Sequence, residues 1–240
     1  LKNVKAVCPQ STAFDWVHPK ELKALGIPVS NCPHFPAESV AEYVVALTIE
    51  GLRKTALHLK NKWEMNWDAR GSSLRGKTVG VIGLGAIGHG IATNMHAMGA
   101  NVIYWSKHTK DKNFKYVSVD ELFRTSDVII PAMATNDGSK KVITNTHLDS
   151  LKKTALFVGL NRIVKELLDE EYLFKKVEKG EIGGYAFESD FAKDVTHYKG
   201  NIWSVPAIAW YTDDSVANLL DIWVNNMIAV AKDTPQNVVN

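Results

Sequence analysis

Six residues constrain this chain more than any others. Gly83-Leu84-Gly85-Ala86-Ile87-Gly88 stands between the apolar run Val79-Gly80-Val81-Ile82 and a stretch whose apolar positions recur at helical spacing. In a turn between a strand and a helix, glycines at the first, third and sixth positions have separate tasks. Gly83 permits the tight turn, Gly85 lets the backbone come close to a ligand, and Gly88 lets the helix press against the strand. The helix that follows offers unpaired N–H groups at its first turn, so the pattern reads as a cradle for a pyrophosphate, with Ala86 and Ile87 bordering it. Ile87, Ile91, Met95 and Met98 fall on one helical face, which predicts packing against a sheet.

From Lys77 onward, short apolar runs alternate with helical patterns at the spacing of βαβ units. The predicted strands are Thr78–Ile82, Asn101–Trp105, Tyr116–Val117, Asp127–Ile130, Ala155–Val158, Tyr185–Phe187 and Ile202–Val205. Such alternation specifies an α/β fold, a doubly wound parallel sheet of the Rossmann type with helices on both faces. Upstream, Ser39 to Lys60 reads as one amphipathic helix with Val40, Val44, Leu47 and Leu52 as its apolar stripe and Pro36 just before it. Residues 1 to 35 carry two strand-like runs, Val4–Cys8 and Ile27–Ser30, around a helical Pro19–Leu25, too little for an independent domain. Ser215 to Ala231 repeats Leu219, Trp223, Met227 and Val230 at helical offsets and is expected to pack back on that first region. The expected division is therefore 1–38, 39–212 and 213–240.

Composition narrows the partners. With 45% hydrophobic and 22% charged residues the chain has the balance of a soluble globular protein, and no apolar run approaches the ~20 residues of a spanning helix. No membrane association is expected, and cytoplasmic is the default location. Two cysteines, Cys8 and Cys32, lack metal-ligand spacing and read as free thiols in a reducing compartment, so no metal site is expected. The 28 basic and 26 acidic residues are interspersed without a basic stripe, which argues against a nucleic-acid partner and for a small molecule.

The second strand decides which dinucleotide. An NAD site usually ends that strand with Asp or Glu for the ribose hydroxyls, whereas here Val102-Ile103-Tyr104-Trp105 runs into Ser106-Lys107-His108. A hydroxyl and a cation suit a 2′-phosphate, because Ser106 can hydrogen-bond it and Lys107 can neutralise it. NADP is thus favoured over NAD, which stays open because Lys107 also reads as a solvated loop lysine.

Two runs, Ser39-Val40-Ala41-Glu42-Tyr43 and Leu74-Arg75-Gly76-Lys77-Thr78-Val79-Gly80-Val81-Ile82-Gly83-Leu84-Gly85, resemble the D-isomer-specific 2-hydroxyacid dehydrogenases. Further stretches agree in order: Gly26-Ile27-Pro28-Val29-Ser30-Asn31, Val119-Asp120-Glu121-Leu122, Ser126-Asp127-Val128, and Pro206 with Ile208-Ala209-Trp210. The resemblance implies a Rossmann domain inserted into a flavodoxin-like substrate domain, part of which would precede Leu1. It implies hydride transfer between a nicotinamide and a small 2-hydroxy or 2-keto acid, in a homodimer with the Ser39 to Lys60 helix and the Trp63 to Trp67 segment near the contact. It also implies that Ala132, Ala134, Gly159, Leu160, Asn161, Glu188 and Ala207 border the cofactor.

Three side chains share the family's chemistry: an arginine that holds the substrate carboxylate, a histidine that exchanges the proton, and a carboxylate that orients the histidine. An arginine fork matches a carboxylate, and an imidazole titrates near neutral pH and serves both directions. Arg162, in Phe157-Val158-Gly159-Leu160-Asn161-Arg162, falls where the family's arginine follows its strand, although Ile163-Val164 replaces the usual glycine pair. A lone arginine there also reads as a surface cation. Ile182-Gly183-Gly184-Tyr185-Ala186-Phe187-Glu188 matches the strand that ends in the family's aspartate, with Glu188 in its place. The catalytic glutamate then falls near Lys193 or Asp194, and only Asp194 could substitute; Asp190 and Asp194 also read as solvated loop acids. The histidine is missing: Pro-His-Ile-Ala appears as Pro206-Ala207-Ile208-Ala209, followed by Trp210-Tyr211-Thr212. The substrate turn departs as well, with Ser11-Thr12-Ala13-Phe14-Asp15 in place of a Gly-x-Gly-Tyr-Asp-like turn, and His34 and His197 read as surface residues.

Overall fold

The computed structural model describes residues 3–133, 142–189 and 194–240. In chain order the elements are α1 (Pro19–Ala24), α2 (Ala37–Leu52), α3 (Thr55–Lys60), β1 (Thr78–Ile82), α4 (Ala86–Ala97), β2 (Asn101–Trp105), β3 (Lys115–Tyr116), α5 (Val119–Thr125), β4 (Val128–Pro131), α6 (Asn145–Asp149), β5 (Leu156–Gly159), α7 (Asn161–Leu167), α8 (Glu170–Glu178), β6 (Gly184–Ser189), β7 (Ile202–Pro206) and α9 (Asp213–Ala231). They form two compact units, Val40–Ile208 and Leu1–Ser39 with Ala209–Asn240.

The larger unit is built on one sheet of order β3-β2-β1-β4-β5-β6-β7 in which every pairing is parallel. Val79–Ile82 of β1 and all of β4, β5 and β6 are buried, as apolar strands covered by helices on both faces must be. The strand order reverses at β1 and β4, whose carboxyl ends flank the crevice where open sheets of this kind take a ligand. The seven predicted strands are all present, displaced at most by a residue or two. Asp127 is one such case: it immediately precedes β4, with its N–H donating to Thr78 O at 2.8 Å and its carbonyl accepting from the Leu156 N–H at 2.9 Å. Its Oδ2 accepts from the Thr78 N–H at 2.9 Å and its Oδ1 from Lys152 Nζ at 2.8 Å.

Four expectations need correction. The single helix expected over Ser39 to Lys60 is two helices, because α2 ends at Leu52 and Lys54 turns left-handed (φ 55°) before α3 begins. The terminal carbonyls of α2 find partners outside the helix: Gly51 O accepts from Asn201 Nδ2 at 2.8 Å and Leu52 O from the Ser72 N–H at 2.9 Å. Met98 does not share the face of Ile91 and Met95; it caps α4 ahead of Gly99 (φ +88°) and is 43% exposed, while the other two are fully buried.

The runs Val4–Cys8 and Ile27–Ser30 make only isolated bridges, Val7 to Val29 and Ser30 to Val238. Pro28 has no N–H to give, and side chains take neighbouring groups that a ladder would use: Cys8 O accepts from Trp223 Nε1 at 2.8 Å, and the Val29 N–H donates to Asn240 Oδ1 at 2.8 Å. On α9, finally, Met227 is 39% exposed; the buried positions are Ser215, Leu219 and Asn226, and the Asn226 amide donates to Asn31 O at 2.8 Å. The last helix does pack on the first region, as expected, but through polar side chains as much as apolar ones.

Candidate functional site

The glycine turn lies at the carboxyl end of β1. Gly83 has φ +94°, and a Cβ there would lie 2.7 Å from Met133 Cβ and 2.9 Å from Met133 N, so the segment after β4 closes against it. A Cβ on Gly88 would meet Gly83 O at 2.0 Å and Ala132 Cβ at 3.4 Å, which leaves α4 no room to carry a side chain at that position. Gly85 differs, for a Cβ built on it meets nothing within 4 Å. It caps α4 and, being glycine, has no side chain to bond the first N–H groups of the helix. Ala86 is exposed and Ile87 half-buried. Two of the glycines are therefore required by the protein's own packing, and the third is not.

Ser106 follows β2 and is 7% exposed; its Oγ accepts from the Thr109 N–H at 3.3 Å, leaving its own proton to donate. Lys107 and His108 are exposed beside it. Sequence reasoning stopped there and missed Asp111, whose carboxylate bridges back to α4: Oδ2 lies 3.3 Å from His89 Nε2, and Oδ1 accepts from the Asn113 N–H at 2.7 Å. The Asp111 N–H in turn donates to the buried Tyr104 hydroxyl at 2.7 Å. No spacing in the sequence signals this brace, which engages the carboxylate closest in sequence to Ser106 on both oxygens.

Ala132, whose N–H donates to Ile82 O at 2.8 Å, sits beside the glycine turn as expected, and Ala134 lies outside the described residues. Gly159 ends β5 and Leu160, 3% exposed, caps α7. A Cβ on Gly159 would meet Val164 Cγ2 at 2.7 Å and the Tyr185 hydroxyl oxygen at 2.8 Å, so the small residue there is required from inside the core. Tyr185 is itself fully buried and donates to Glu170 Oε1 at 2.9 Å; burial first, then the Glu170 charge, pushes its hydroxyl well above the usual tyrosine range. Asn161 and Arg162 open α7 by their backbone, and their side chains lie outside what is described.

At the far side of the sheet, Glu188 pairs in register with Val205 and Ser189 with Pro206, which sets Ala207 just past the strand ends next to the close of β6. Glu188 is 7% exposed, and Tyr43 responds to it: burial first, then the Glu188 charge, raises the Tyr43 hydroxyl above its ordinary value. Ser189 Oγ and Ser204 Oγ lie 3.2 Å apart. Asp194 is exposed and closes its own turn, with Oδ1 accepting from the Thr196 hydroxyl at 2.6 Å and the Thr196 N–H at 2.9 Å. Those bonds, the hydroxyl's first, hold its carboxyl below the usual aspartate range. Asp190 and Lys193 lie outside the described residues. His197 lies against the Tyr198 ring at 4.2 Å, and His34 is an exposed left-handed residue of the smaller unit (φ 60°). In that unit, too, the Ser11 and Thr12 carbonyls accept from the Cys32 N–H at 2.9 Å and Asn31 Nδ2 at 2.8 Å.

A family model described as D-isomer specific 2-hydroxyacid dehydrogenase, NAD binding domain, matches residues 45–209. Among curated proteins, a hydroxypyruvate reductase of Blautia hydrogenotrophica is 28% identical, over 99% of this chain and 79% of that protein. A glyoxylate reductase of Thermofilum pendens is 27% identical, over 99% of this chain and 75% of its own length. Among solved structures, an acyclic imino acid reductase in complex with NADPH and D-Arg superposes with a TM-score of 0.87 at 25% identity, covering 98% of this chain and 78% of that one.

Proposed function

Because the chain belongs to the D-isomer-specific 2-hydroxyacid dehydrogenase family, we propose that it is an oxidoreductase interconverting a small 2-oxo acid and its 2-hydroxy acid. NAD or NADP is its cofactor. The observation that carries the reading is the open position at Gly85 between two closed ones, a cradle that a pyrophosphate fits and a Cβ would fill. Gly83 to Gly88, Ala132 and the turn at Gly159 and Leu160 would hold the dinucleotide, and when bound its nicotinamide supplies or accepts the hydride. The Ser106 hydroxyl and Lys107 ammonium favour NADP, since the nearby Asp111 carboxylate is already engaged. Arg162 is assigned to the substrate carboxylate. Ala207 supplies no proton, and loss of a positioned donor typically costs ~10²–10⁴-fold in rate, so simple 2-oxo acids should be poor substrates. Residues 1–38 with 213–240 are read as the substrate-side portion and 39–212 as the dinucleotide domain, in a cytoplasmic homodimer.

Ala207 favours a second reading, a non-catalytic NAD(P)(H)-binding sensor or interaction protein. Fluorescence titration of the starting protein and Gly85→Val with NADPH and NADH, followed by turnover assays with glyoxylate and pyruvate, tests both. Equal affinities for the two proteins would remove the cofactor assignment. Tight binding without turnover of any substrate would favour the sensor.

A further inference from the structure

We infer that His89 tunes which dinucleotide this chain prefers, by holding Asp111 against α4 and so keeping a carboxylate from the place where the adenosine ribose is read. The inference rests on the dinucleotide reading above and adds a positioning residue that acts on it through a neighbour. The end of β2 is where folds of this kind distinguish a free ribose from a phosphorylated one. Beyond it the chain runs Ser106-Lys107-His108-Thr109-Lys110-Asp111-Lys112-Asn113-Phe114, three lysines around a single acid. Where that acid is held decides whether the loop welcomes a 2′-phosphate or competes with it.

The structure holds it at the helix. His89 stands one turn from the Gly85 cap, its N–H donating to Gly85 O at 2.8 Å. Its Nε2 lies 3.3 Å from Asp111 Oδ2, and the Asp111 side chain is only 17% exposed. The other carboxylate oxygen accepts from the Asn113 N–H at 2.7 Å. Buried Tyr104 fixes the backbone of the same residue, for its hydroxyl accepts from the Asp111 N–H at 2.7 Å and donates to the Asp111 carbonyl at 3.2 Å. Phe114 sets its edge against α4 as well, with ring centroids 6.0 Å from those of both His89 and His96, two turns apart on one helical face. Lys107 and Lys112 meanwhile are exposed. A carboxylate so nearly buried keeps a partner or finds another. Without the imidazole, Asp111 turns to a lysine of its own loop or to the ribose hydroxyls. The first neutralises a cation that a 2′-phosphate would use, the second repels the phosphate itself, and both move the preference toward NADH.

The test measures NADPH and NADH dissociation constants by fluorescence titration for the parent, His89→Ala, His89→Gln, and His89→Ala combined with Asp111→Asn. His89→Ala should lower the preference for NADPH by about fivefold, within the reach of one charge near a protein surface. Removing the released carboxylate in the double variant should return the preference to the parental value or above, which repair of a merely damaged fold would not do. His89→Gln keeps an N–H within reach of the same oxygen and should stay within about twofold of the parent. Should His89→Ala fail to fold, His89→Phe, which keeps a ring against Phe114 and removes the nitrogen, carries the same expectation. Equal losses for both cofactors, an unchanged ratio, or a shift that Asp111→Asn does not reverse would overturn the inference while leaving the dinucleotide reading intact. A parent that binds neither cofactor would overturn both.

Discussion

At the scale of single residues, the three glycines of one turn answer to different demands and should respond differently to substitution. A methyl on Gly88 would press on the Gly83 carbonyl, which is backbone and cannot swing aside, so Gly88→Ala should cost about 1–3 kcal/mol or more in denaturant unfolding. Gly85→Val, whose side chain enters open space, should leave the thermal midpoint near that of the parent while weakening cofactor binding. A loss of stability at Gly85 as large as that at Gly88 would contradict this division. Ser106→Asp places a carboxylate at the end of β2, where it repels a 2′-phosphate and offers the ribose hydroxyls an acceptor. The ratio of NADPH to NADH dissociation constants should rise by about tenfold or more, the scale of one charge pair near a protein surface; an unchanged ratio would remove Ser106 from cofactor discrimination. The glycine pattern is legible in sequence because its members are neighbours. Tyr185 beneath Gly159 is not, since two positions 26 apart meet only when β5 pairs with β6 (185 − 159).

Among the elements, period and composition located every strand of the sheet, and what they missed were ends and partners. The break between α2 and α3 depends on Asn201 and Ser72 reaching carbonyls from far along the chain, and the brace of Asp111 on His89 likewise comes from tertiary proximity. Asp127 shows how such a partner couples strands to pH. Burial raises its carboxyl pKa, but the Lys152 ammonium and the Thr78 N–H, the second and third influences, outweigh burial and leave it below its ordinary value. A carboxylate depressed in this way stabilises the fold above its unfolded pKa, and that contribution disappears as pH falls through the folded value. The thermal midpoint should therefore drop on acidification below about pH 4, and less steeply in Asp127→Asn, which has no charge left to lose. Parallel curves for the two proteins would show that Asp127 carries none of the acid sensitivity.

For the molecule as a whole, Trp63, Met65 and Trp67 are 65%, 91% and 72% exposed within five positions after α3. The homodimer proposed above would cover these large apolar side chains. Sedimentation at micromolar concentration should give twice the chain mass, and Trp63→Ser with Trp67→Ser should shift it toward the monomer. A monomeric parent would rule the dimer out. The strand order also sets an itinerary for biosynthesis. As the chain leaves the ribosome, β2 and β3 can dock on one side of β1 as soon as they emerge, but its other side waits for β4, which begins at Val128. Until then the backbone N–H and C=O groups along that edge of a strand destined for burial stand open to any other nascent chain. A translational pause while β4 is still inside the ribosome is the moment of greatest exposure to misassembly, and a pause after Pro131 has emerged is not.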